Sequence, residues 1–272
     1  MYLEFFGLAE KPFSVIPDAD FIYMSPGHQH ALTMLEYGVF EQSGITLITG
    51  GVGCGKTTLL RHLLRTLPYD SYTVGMVANI HPSLGSLLNW VALALELDWD
   101  QDSGKFGLFR ELQNFLIEEH ANGKEVLLIL DEAQNMDLSD IEELRMLLNI
   151  NADKLQLLKV VLIGQPELKD LLAKPDMEQV TQRITSEAHL EPLLLNETKD
   201  YIKYRLTNAG GNAAIFSPEA IIHIHKASEG IPRVINILCD KGLVAAYGAD
   251  SQAVTGDIMT EVIRGSRRAK SA

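Results

Sequence analysis

The segment GGVGCGKT, residues 50–57, constrains the fold of this chain more than any other part of its sequence. It matches the pattern G-x-x-x-x-G-K-[ST], in which glycines let backbone N–H groups approach a bound anion closely. The apolar run GITLITG predicts a buried strand over residues 44–50, and a helix is predicted from about residue 56 to 66. A glycine-rich turn between a strand and a helix is the context in which this pattern binds phosphate. The segment therefore predicts a βα unit with a phosphate site at its turn.

The residue types in this turn indicate which phosphate compound binds there. Lys56 would bridge the β- and γ-phosphates of a nucleoside triphosphate, and the Thr57 hydroxyl would be a ligand of Mg²⁺. The remaining residues predicted to contact the phosphates are Gly50, Gly51, Val52, Gly53, Cys54, Gly55 and Thr58. We therefore predict that the chain binds a nucleoside triphosphate together with Mg²⁺.

Two other predicted strands end in polar residues that suit phosphate chemistry. EVLLILDEAQ, residues 125–134, places Asp131 and Glu132 directly after an apolar strand. Asp131 would be a ligand of Mg²⁺, and Glu132 would orient and polarise an attacking water. LKVVLIGQPEL, residues 158–168, places the Gln165 amide where it would lie near the γ-phosphate. An acidic pair or a glutamine at a strand end also occurs as plain turn chemistry, so these interpretations depend on the glycine-rich turn upstream.

Strands and helices alternate along most of the chain. The predicted strands are residues 44–50, 71–79, 125–134 and 158–168, and the predicted helices are residues 28–42, 56–66, 83–97, 104–122 and 137–150. Such alternation predicts βαβ units and a three-layer α/β fold with a parallel sheet.

Strand signals stop at about residue 192, and helix signals follow. Asn196 is predicted to cap a first helix, Ser217 and Pro218 to begin a second, and Pro232 to begin a third that ends at Gly248. A last short helix is predicted for GDIMTEVIRG. The chain is therefore predicted to have two domains, an α/β domain over residues 1–191 and a small all-helical domain over residues 192–272.

Arg233 stands at an unusual place for a cation. In EGIPRVINIL it falls in the first turn of the third predicted helix, where the helix end carries partial positive charge. A cation becomes favourable there when a triphosphate lies in front of the helix. We therefore predict that Arg233 contacts the phosphates and responds to loss of the γ-phosphate.

Charge and hydropathy limit the partners of the chain. Its 23 basic and 36 acidic residues give a net charge of −13, which argues against a surface that wraps nucleic acid. Arg264, Arg267, Arg268 and Lys270 form a basic C-terminal segment, which is interpreted either as a solvated tail or as a contact for acidic lipid or a partner. No apolar run approaches the ~18 residues of a membrane helix, and no secretory signal pattern begins the sequence. These features predict a cytoplasmic protein.

Several classes of nucleotide-binding protein lack support in the sequence. An Asn-Lys-x-Asp base reader, expected of a GTPase, is absent, and so is the Ser-Gly-Gly-Gln signature of transporter ATPases. DEAQ is similar to the second motif of DEAD-type helicases, but those need two RecA-like domains, and this chain is too short for them.

The motifs together resemble AAA+ ATPases of the general secretion pathway protein A type, whose relatives serve pilus biogenesis, exopolysaccharide loci and transposition. The resemblance runs through nearly the whole chain. It is carried by FFGLAEKPFSVIPDADFIYMS, TGGVGCGKTTLL, LLILDEAQNM, VVLIGQPEL, QRI, YIKYRL and GIPRVIN. Each motif alone is unspecific, whereas the combination is typical of this family.

The resemblance implies an ATPase and a role for each motif. Lys56 and Thr57 would be the Walker A pair, and Asp131 and Glu132 the Walker B pair. The remaining implied roles are Gln165 as sensor 1, Arg183 as an arginine finger that reaches a neighbouring subunit, and Arg233 as sensor 2. Segment 1–27 would lie on the adenine side, with Phe13 to Pro17 over the base, and the helical domain would be a lid. The implied partners are further copies of the chain, in a ring or filament, and a protein of an envelope assembly system at the inner membrane.

Three functions stay open on the sequence alone. The first is an ATPase whose subunit rearrangements assist assembly of a secretion, pilus or exopolysaccharide machine. The second is a DNA-dependent ATPase that regulates transposition. Salt-sensitive binding to duplex DNA in a gel shift would support it. Only Lys105 and Arg110 provide lysine or arginine charge between residues 70 and 122, and this disfavours DNA. The third is a nucleotide-gated switch with little hydrolysis. Glu132 disfavours this function, because it would orient and polarise an attacking water.

Overall fold

The computed structural model describes residues 1–16, 21–41, 44–78, 85–152 and 155–268. These residues form two compact units, each with a buried apolar core. The sheet unit comprises Gln29–Gly50 and His62–Leu190, and the bundle unit comprises Met1–His28, Gly51–Arg61 and Glu191–Ala272. The division of the chain into domains 1–191 and 192–272 stays a prediction.

The sheet unit is built on parallel strands. In the described residues the strands are β1 (Ile45–Gly50), β2 (Tyr72–Val77), β3 (Glu125–Leu130), β4 (Asn151–Ala152), β5 (Leu155–Gln156), β6 (Leu158–Gly164) and β7 (Ile184–Leu190). Five of them form one parallel sheet in the order β2-β3-β6-β1-β7, while β4 and β5 pair antiparallel. The predicted parallel sheet is therefore confirmed, and each of the four predicted strands is present.

Both faces of the central strands are covered. Leu127 and Leu128 point to opposite faces of β3, and both are fully buried. The neighbouring strand β6 is buried along its whole length. A strand buried on both faces reads as an unbroken apolar run, which is why β1, β3 and β6 are recognisable in the sequence.

The edge strand β7 was missed by the sequence analysis, which found no strand after residues 158–168. Along β7 buried and exposed positions alternate, and the buried ones include Ser186 and Ala188. The Ser186 hydroxyl donates to the Met34 carbonyl at 2.6 Å. On the inner face Ser186 separates Ile184 from Ala188 and Leu190, so the apolar alternation is too short for a pattern to detect.

Helices make up most of the remaining regular structure of the two units. Those before β7 are α1 (Tyr2–Phe5), α2 (Pro26–Glu36), α3 (Lys56–Thr66), α4 (Leu87–Ala94), α5 (Gly104–Ala121), α6 (Leu138–Leu148), α7 (Glu167–Leu172) and α8 (Glu178–Thr181). The predicted helix over residues 28–42 corresponds to α2 and a following π-helical turn, Tyr37–Glu41. The predicted helix over residues 83–97 is shorter, and residues 79–84 lie outside the described ranges. None of the helices in the described ranges is long and apolar enough to cross a membrane.

The bundle unit contains α9 (Leu195–Asn208), α10 (Pro218–Ser228), α11 (Pro232–Gly248) and α12 (Gly256–Arg268). Ser217 caps α10 as predicted, because its hydroxyl accepts the Ala220 N–H at 3.2 Å. The prediction that Asn196 caps α9 is wrong. The helix begins at Leu195, and the Glu197 carboxylate accepts the Leu194 N–H at 2.8 Å. A carboxylate in the first turn satisfies this end of the helix without a polar cap residue.

Gly230 lies in the turn between α10 and α11, where substitution is expected to be costly. Its φ is +76°, and an added Cβ would lie 2.1 Å from the Leu193 carbonyl oxygen. We expect Gly230→Ala to lower the free energy of unfolding by at least about 2 kcal/mol, because backbone strain and a steric clash add. Urea denaturation followed by circular dichroism measures the change.

Gly248→Ala is the matched control for that substitution. Gly248 is the last residue of α11, and an added Cβ there would meet no atom within 4 Å. We expect this variant to be as stable as the wild type or slightly more stable, since alanine favours a helix. Equal stability of the two variants would contradict the predicted strain at Gly230.

Candidate functional site

The glycine-rich loop follows β1 directly and ends where α3 begins at Lys56. Its carbonyl groups accept hydrogen bonds from within the bundle unit. Gly51 accepts the Cys54 N–H at 3.3 Å, Gly53 accepts the Arg233 N–H at 3.2 Å, and Gly55 accepts the Leu59 N–H at 2.9 Å. In a trans peptide the C=O and the following N–H point in opposite directions. A loop N–H that follows one of these carbonyls therefore points away from the donor of that carbonyl, and the Cys54 N–H is itself bound to Gly51.

Glycine is required at two places in this loop by conformation and by space. Gly53 has φ of +82° and Gly55 has φ of +102°. A Cβ at residue 53 would lie 2.7 Å from the Arg233 Cβ, so the loop and the start of α11 approach each other closely. The pattern G-x-x-x-x-G-K-[ST] thus has a structural reason in this chain at its second glycine.

Lys56 is buried, with 7% of its surface exposed, and its ammonium donates to the Gly51 carbonyl at 3.1 Å. The cation therefore lies against the loop to which it belongs. Thr57 and Thr58 follow in the first turn of α3 and are half-buried. Cys54 is buried as well, and this burial raises the pKa of its thiol.

Arg233 occupies the second position of α11, next to the loop. Its backbone N–H holds the Gly53 carbonyl, whereas its side chain is exposed. The structure thus brings Arg233 and the glycine-rich loop together, as the prediction of a phosphate contact requires. The contact of Arg233 with a nucleotide itself stays a prediction.

The acidic pair follows β3 in the sheet unit. Asp131 is buried, and its carboxylate accepts the Glu132 backbone N–H at 2.9 Å. Glu132 has φ of +54°, in the left-handed region that a residue with a Cβ rarely adopts. Such strain costs on the order of 1 kcal/mol and tends to occur at functional sites. The Asp131 carboxylate offsets this cost and fixes the direction in which Glu132 leaves the strand.

Two glutamine amides hold the Glu132 carboxylate. Its Oε2 accepts from Gln134 Nε2 at 2.6 Å and from Gln165 Nε2 at 3.2 Å. Gln134 Oε1 in turn accepts the Gln165 backbone N–H at 3.0 Å, which closes a triangle of three residues. We call Glu132, Gln134 and Gln165 the amide triangle. It joins the loops after β3 and β6, two strands that pair directly in the sheet.

No motif of the sequence assigns a role to Gln134, the last residue of DEAQ. Its contact with Gln165 depends on Gly164, because a Cβ there would lie 2.9 Å from Gln134 Oε1. Nothing in the local sequence indicates that residues 134 and 165 meet. The strand pairing that brings them together is visible only in the structure.

Arg183 lies apart from the amide triangle, just before β7. Its guanidinium donates to the Leu148 carbonyl at 2.6 Å and to the Asn149 side chain. These residues end α6, and a cation is favourable at the C-terminus of a helix. In a single chain Arg183 therefore stabilises the end of α6, and its action on a neighbouring subunit stays a prediction.

The N-terminal segment is only partly available for a base. Phe13 is buried, and its ring packs edge-on against Phe216 at 5.8 Å between centroids. Val15 and Ile16 are exposed, and Pro17 lies outside the described residues. The predicted adenine contact of residues 13–17 remains a prediction.

Comparison with known proteins shows what the chain is similar to. Residues 40–172 match the protein family described as an AAA domain. General secretion pathway protein A of Aeromonas hydrophila is 41% identical over 259 residues, which cover 95% of this chain and 47% of that protein. The chain thus spans about half the length of this relative.

Solved structures share the fold at low sequence identity. The Aeropyrum pernix ORC2 protein, solved in ADPNP-ADP complexes, has a TM-score of 0.65 and is 17% identical, covering 92% of this chain and 72% of its own. Cdc6p of Pyrobaculum aerophilum has a TM-score of 0.63 at 17% identity, covering 88% and 68%. The RuvB Holliday junction branch migration motor of Thermotoga maritima has a TM-score of 0.58 at 17% identity, covering 89% and 69%. At this identity the likeness concerns the fold alone.

The sheet order, the glycine-rich loop and these comparisons agree with one another. The resemblance to general secretion pathway protein A is confirmed over nearly the whole chain, and the chain has the AAA+ P-loop NTPase fold.

Proposed function

We propose that this chain binds Mg-ATP and hydrolyses it to ADP and phosphate. The amide triangle is the observation that carries this proposal. A carboxylate that two amide donors hold in one direction is suited to orient a water molecule, and Glu132 is the proton acceptor that we propose. A protein that only binds nucleotide has no need of such a carboxylate.

The loop residues would hold the triphosphate. Backbone N–H groups of residues 50–58 would donate to its oxygens, and Lys56 would neutralise the β- and γ-phosphates. This assignment is supported by the positive φ of Gly53 and Gly55, which lets the backbone approach an anion closely, and by the Lys56 ammonium, which lies against the loop. Arg233 would add a cation from the start of α11.

Mg²⁺ would be held by Thr57 and Asp131. A hydroxyl and a carboxylate fit this ion, which prefers oxygen ligands and takes few protein groups besides substrate phosphates and waters. When bound, Mg²⁺ would neutralise charge on the β- and γ-phosphate oxygens. The protein groups would do the rest: Glu132 would orient water and take its proton, while Gln165 and Gln134 would keep the carboxylate in place.

The partner that we propose is a protein of a bacterial envelope assembly system, reached from the cytoplasm. It is supported by the 41% identity to a protein named for the general secretion pathway. The acidic net charge of −13 speaks against nucleic acid as the main partner. Coupling of ATP state to assembly of several copies is part of the proposal, with Arg183 acting on the nucleotide of a neighbouring copy.

A mixing experiment tests hydrolysis and assembly together. Phosphate release from Mg-ATP is measured for the wild type, Arg183→Ala and Lys56→Met, each alone, and for a mixture of the two variants. We expect the rate of phosphate release of each variant alone to be roughly 10³-fold below that of the wild type, which is the scale of a lost arginine finger. The mixture should regain a measurable part of the wild-type rate, because Lys56→Met subunits still present Arg183 to intact neighbouring sites.

Two controls keep the result interpretable. Melting temperature separates the loss of the Arg183 contact with α6, worth about 0.3–1 kcal/mol, from loss of catalysis. Size-exclusion chromatography in ATP shows that the variants assemble. A mixture that assembles yet stays inactive would exclude Arg183 as a residue acting on another subunit. A wild-type chain that releases no phosphate, alone or assembled, would exclude the proposed hydrolysis.

A further inference from the structure

A small polar network lies behind the glycine-rich loop in the bundle unit. Ser25 and His28 are both buried, at 3% and 6% exposure. The Ser25 hydroxyl oxygen is 2.8 Å from His28 Nδ1, and His28 Nε2 is 2.9 Å from the Cys54 carbonyl oxygen. Ser25 also accepts the His28 backbone N–H at 3.3 Å. The glycine-rich pattern does not predict the contact of His28 with the Cys54 carbonyl, which lies 26 residues further along the chain.

The partners define which ring nitrogen carries the proton. A carbonyl oxygen only accepts, so Nε2 must be the donor to Cys54. Burial lowers the pKa of His28, which favours the neutral ring at neutral pH. Nδ1 then accepts the Ser25 O–H. Ser25 thus sets the orientation and tautomer of the ring that holds the loop carbonyl.

The geometry points to His28 as a positioning residue for phosphate binding. The Cys54 carbonyl and the Gly55 N–H belong to one planar trans peptide and point in opposite directions. By holding the carbonyl, His28 turns the Gly55 N–H away from itself and toward the side where the loop would receive phosphate. This inference rests on the proposed nucleotide binding and adds a residue that acts on the same loop from behind.

The close fit of the ring supports a role in setting the peptide plane. A Cβ at Gly55 would lie 2.7 Å from His28 Nε2, so the imidazole fills the space that the glycine leaves. Gly55 has φ of +102°, and a glycine at this position allows many orientations of the peptide in the absence of a partner. With the Gly53 carbonyl held by Arg233, two successive peptides of the loop are fixed by groups from distant parts of the chain.

Two substitutions separate the Nε2 donor from the bulk of the ring. Glutamine places an amide N–H near the position of Nε2, whereas leucine fills a similar volume without a donor. We expect His28→Leu to bind ATP and ADP about tenfold more weakly by isothermal titration calorimetry, the scale of one lost hydrogen bond. His28→Gln should bind within about threefold of the wild type.

Nuclear magnetic resonance gives a readout that a purely structural histidine would not move. In ¹⁵N-labelled protein the Gly55 amide resonance should shift on addition of ADP in the wild type and in His28→Gln. In His28→Leu this shift should be much smaller at saturating ADP. Ser25→Ala, which retains the ring and removes the group that orients it, should weaken ATP and ADP binding in the same direction by a smaller factor.

The outcomes are distinguishable. Wild-type affinity of His28→Leu, or equal losses in His28→Leu and His28→Gln with unchanged melting temperatures, would overturn the positioning role. If His28→Leu does not fold, the comparison of wild type, His28→Gln and Ser25→Ala decides, and unchanged binding in Ser25→Ala would overturn the role. Absence of ATP binding by the wild type would instead contradict the proposed function.

Discussion

Replacing Glu132 by glutamine is expected to reduce ATP turnover by at least about 10²-fold while ATP still binds, since a proton acceptor is worth roughly 10²–10⁴-fold. In the amide triangle the Glu132 carboxylate receives two amide donors. Glutamine at residue 132 retains the shape of the side chain and an oxygen that accepts from both amide donors, but it is no longer a base. Phosphate release and equilibrium binding of ATP, measured on the same preparation, separate the two effects.

Glu118→Gln is the matched control for this loss. Glu118 is exposed on α5, and the substitution makes the same change of charge. It should leave both phosphate release and ATP binding unchanged. Equal rates for the wild type and Glu132→Gln would mean that the nucleotide acts only as a switch, the third function that the sequence leaves open.

Replacing Lys56 by methionine is expected to weaken ATP binding by about 100-fold or more, because a charged donor to the phosphates is lost. The Lys56 side chain is buried and its ammonium contacts the loop carbonyl of Gly51. Methionine retains an unbranched stem, so the loop keeps most of its packing. We therefore expect Lys56→Met to lower the stability of the fold less than Lys56→Ala would.

Thermal unfolding with and without ATP measures this loss of binding. A ligand at a hundred times its Kd stabilises the folded chain by about 2.7 kcal/mol, which raises the melting temperature of the wild type. Lys56→Met should show little or no rise at the same ATP concentration. Lys199→Met, on the exposed surface of α9 in the same bundle unit, is the matched control and should retain the full rise. A full ATP-dependent rise in Lys56→Met would exclude Lys56 as a phosphate ligand.

The parts of the fold that the sequence predicts correctly are those with local signals. β1, β3 and β6 are mostly apolar because both faces of the sheet are covered, and each is followed by a polar or glycine-rich loop. The edge strand β7 has no such run, because exposed residues alternate with its buried ones and the polar Ser186 is among the buried ones. An edge strand of this kind is therefore not predicted from apolar periodicity.

The candidate site divides in the same way. Motif spacing is sufficient to single out Lys56, Glu132 and Gln165, because each follows a recognisable strand. The positioning contacts of Gln134 and His28 join residues that are distant in the sequence, 134 to 165 and 28 to 54. Hydrogen bonds of this kind depend on strand order and loop geometry, for which no local pattern exists. Arg183 shows the converse, since its contacts with the end of α6 were not expected from its motif.

The order of strands in the sheet has a consequence for the way this chain acquires its shape during synthesis. β1 lies near the start of the chain, yet its two neighbours in the sheet are β6 and β7, the last strands to leave the ribosome. Hydrogen bonds between such distant segments form slowly, because a long loop must close first. The glycine-rich loop follows β1 directly, and its Gly53 carbonyl accepts the Arg233 N–H, so its final shape becomes available only after residue 233 has been made. The nascent chain must therefore protect an apolar strand for most of its own translation, which makes it a candidate for assistance by chaperones.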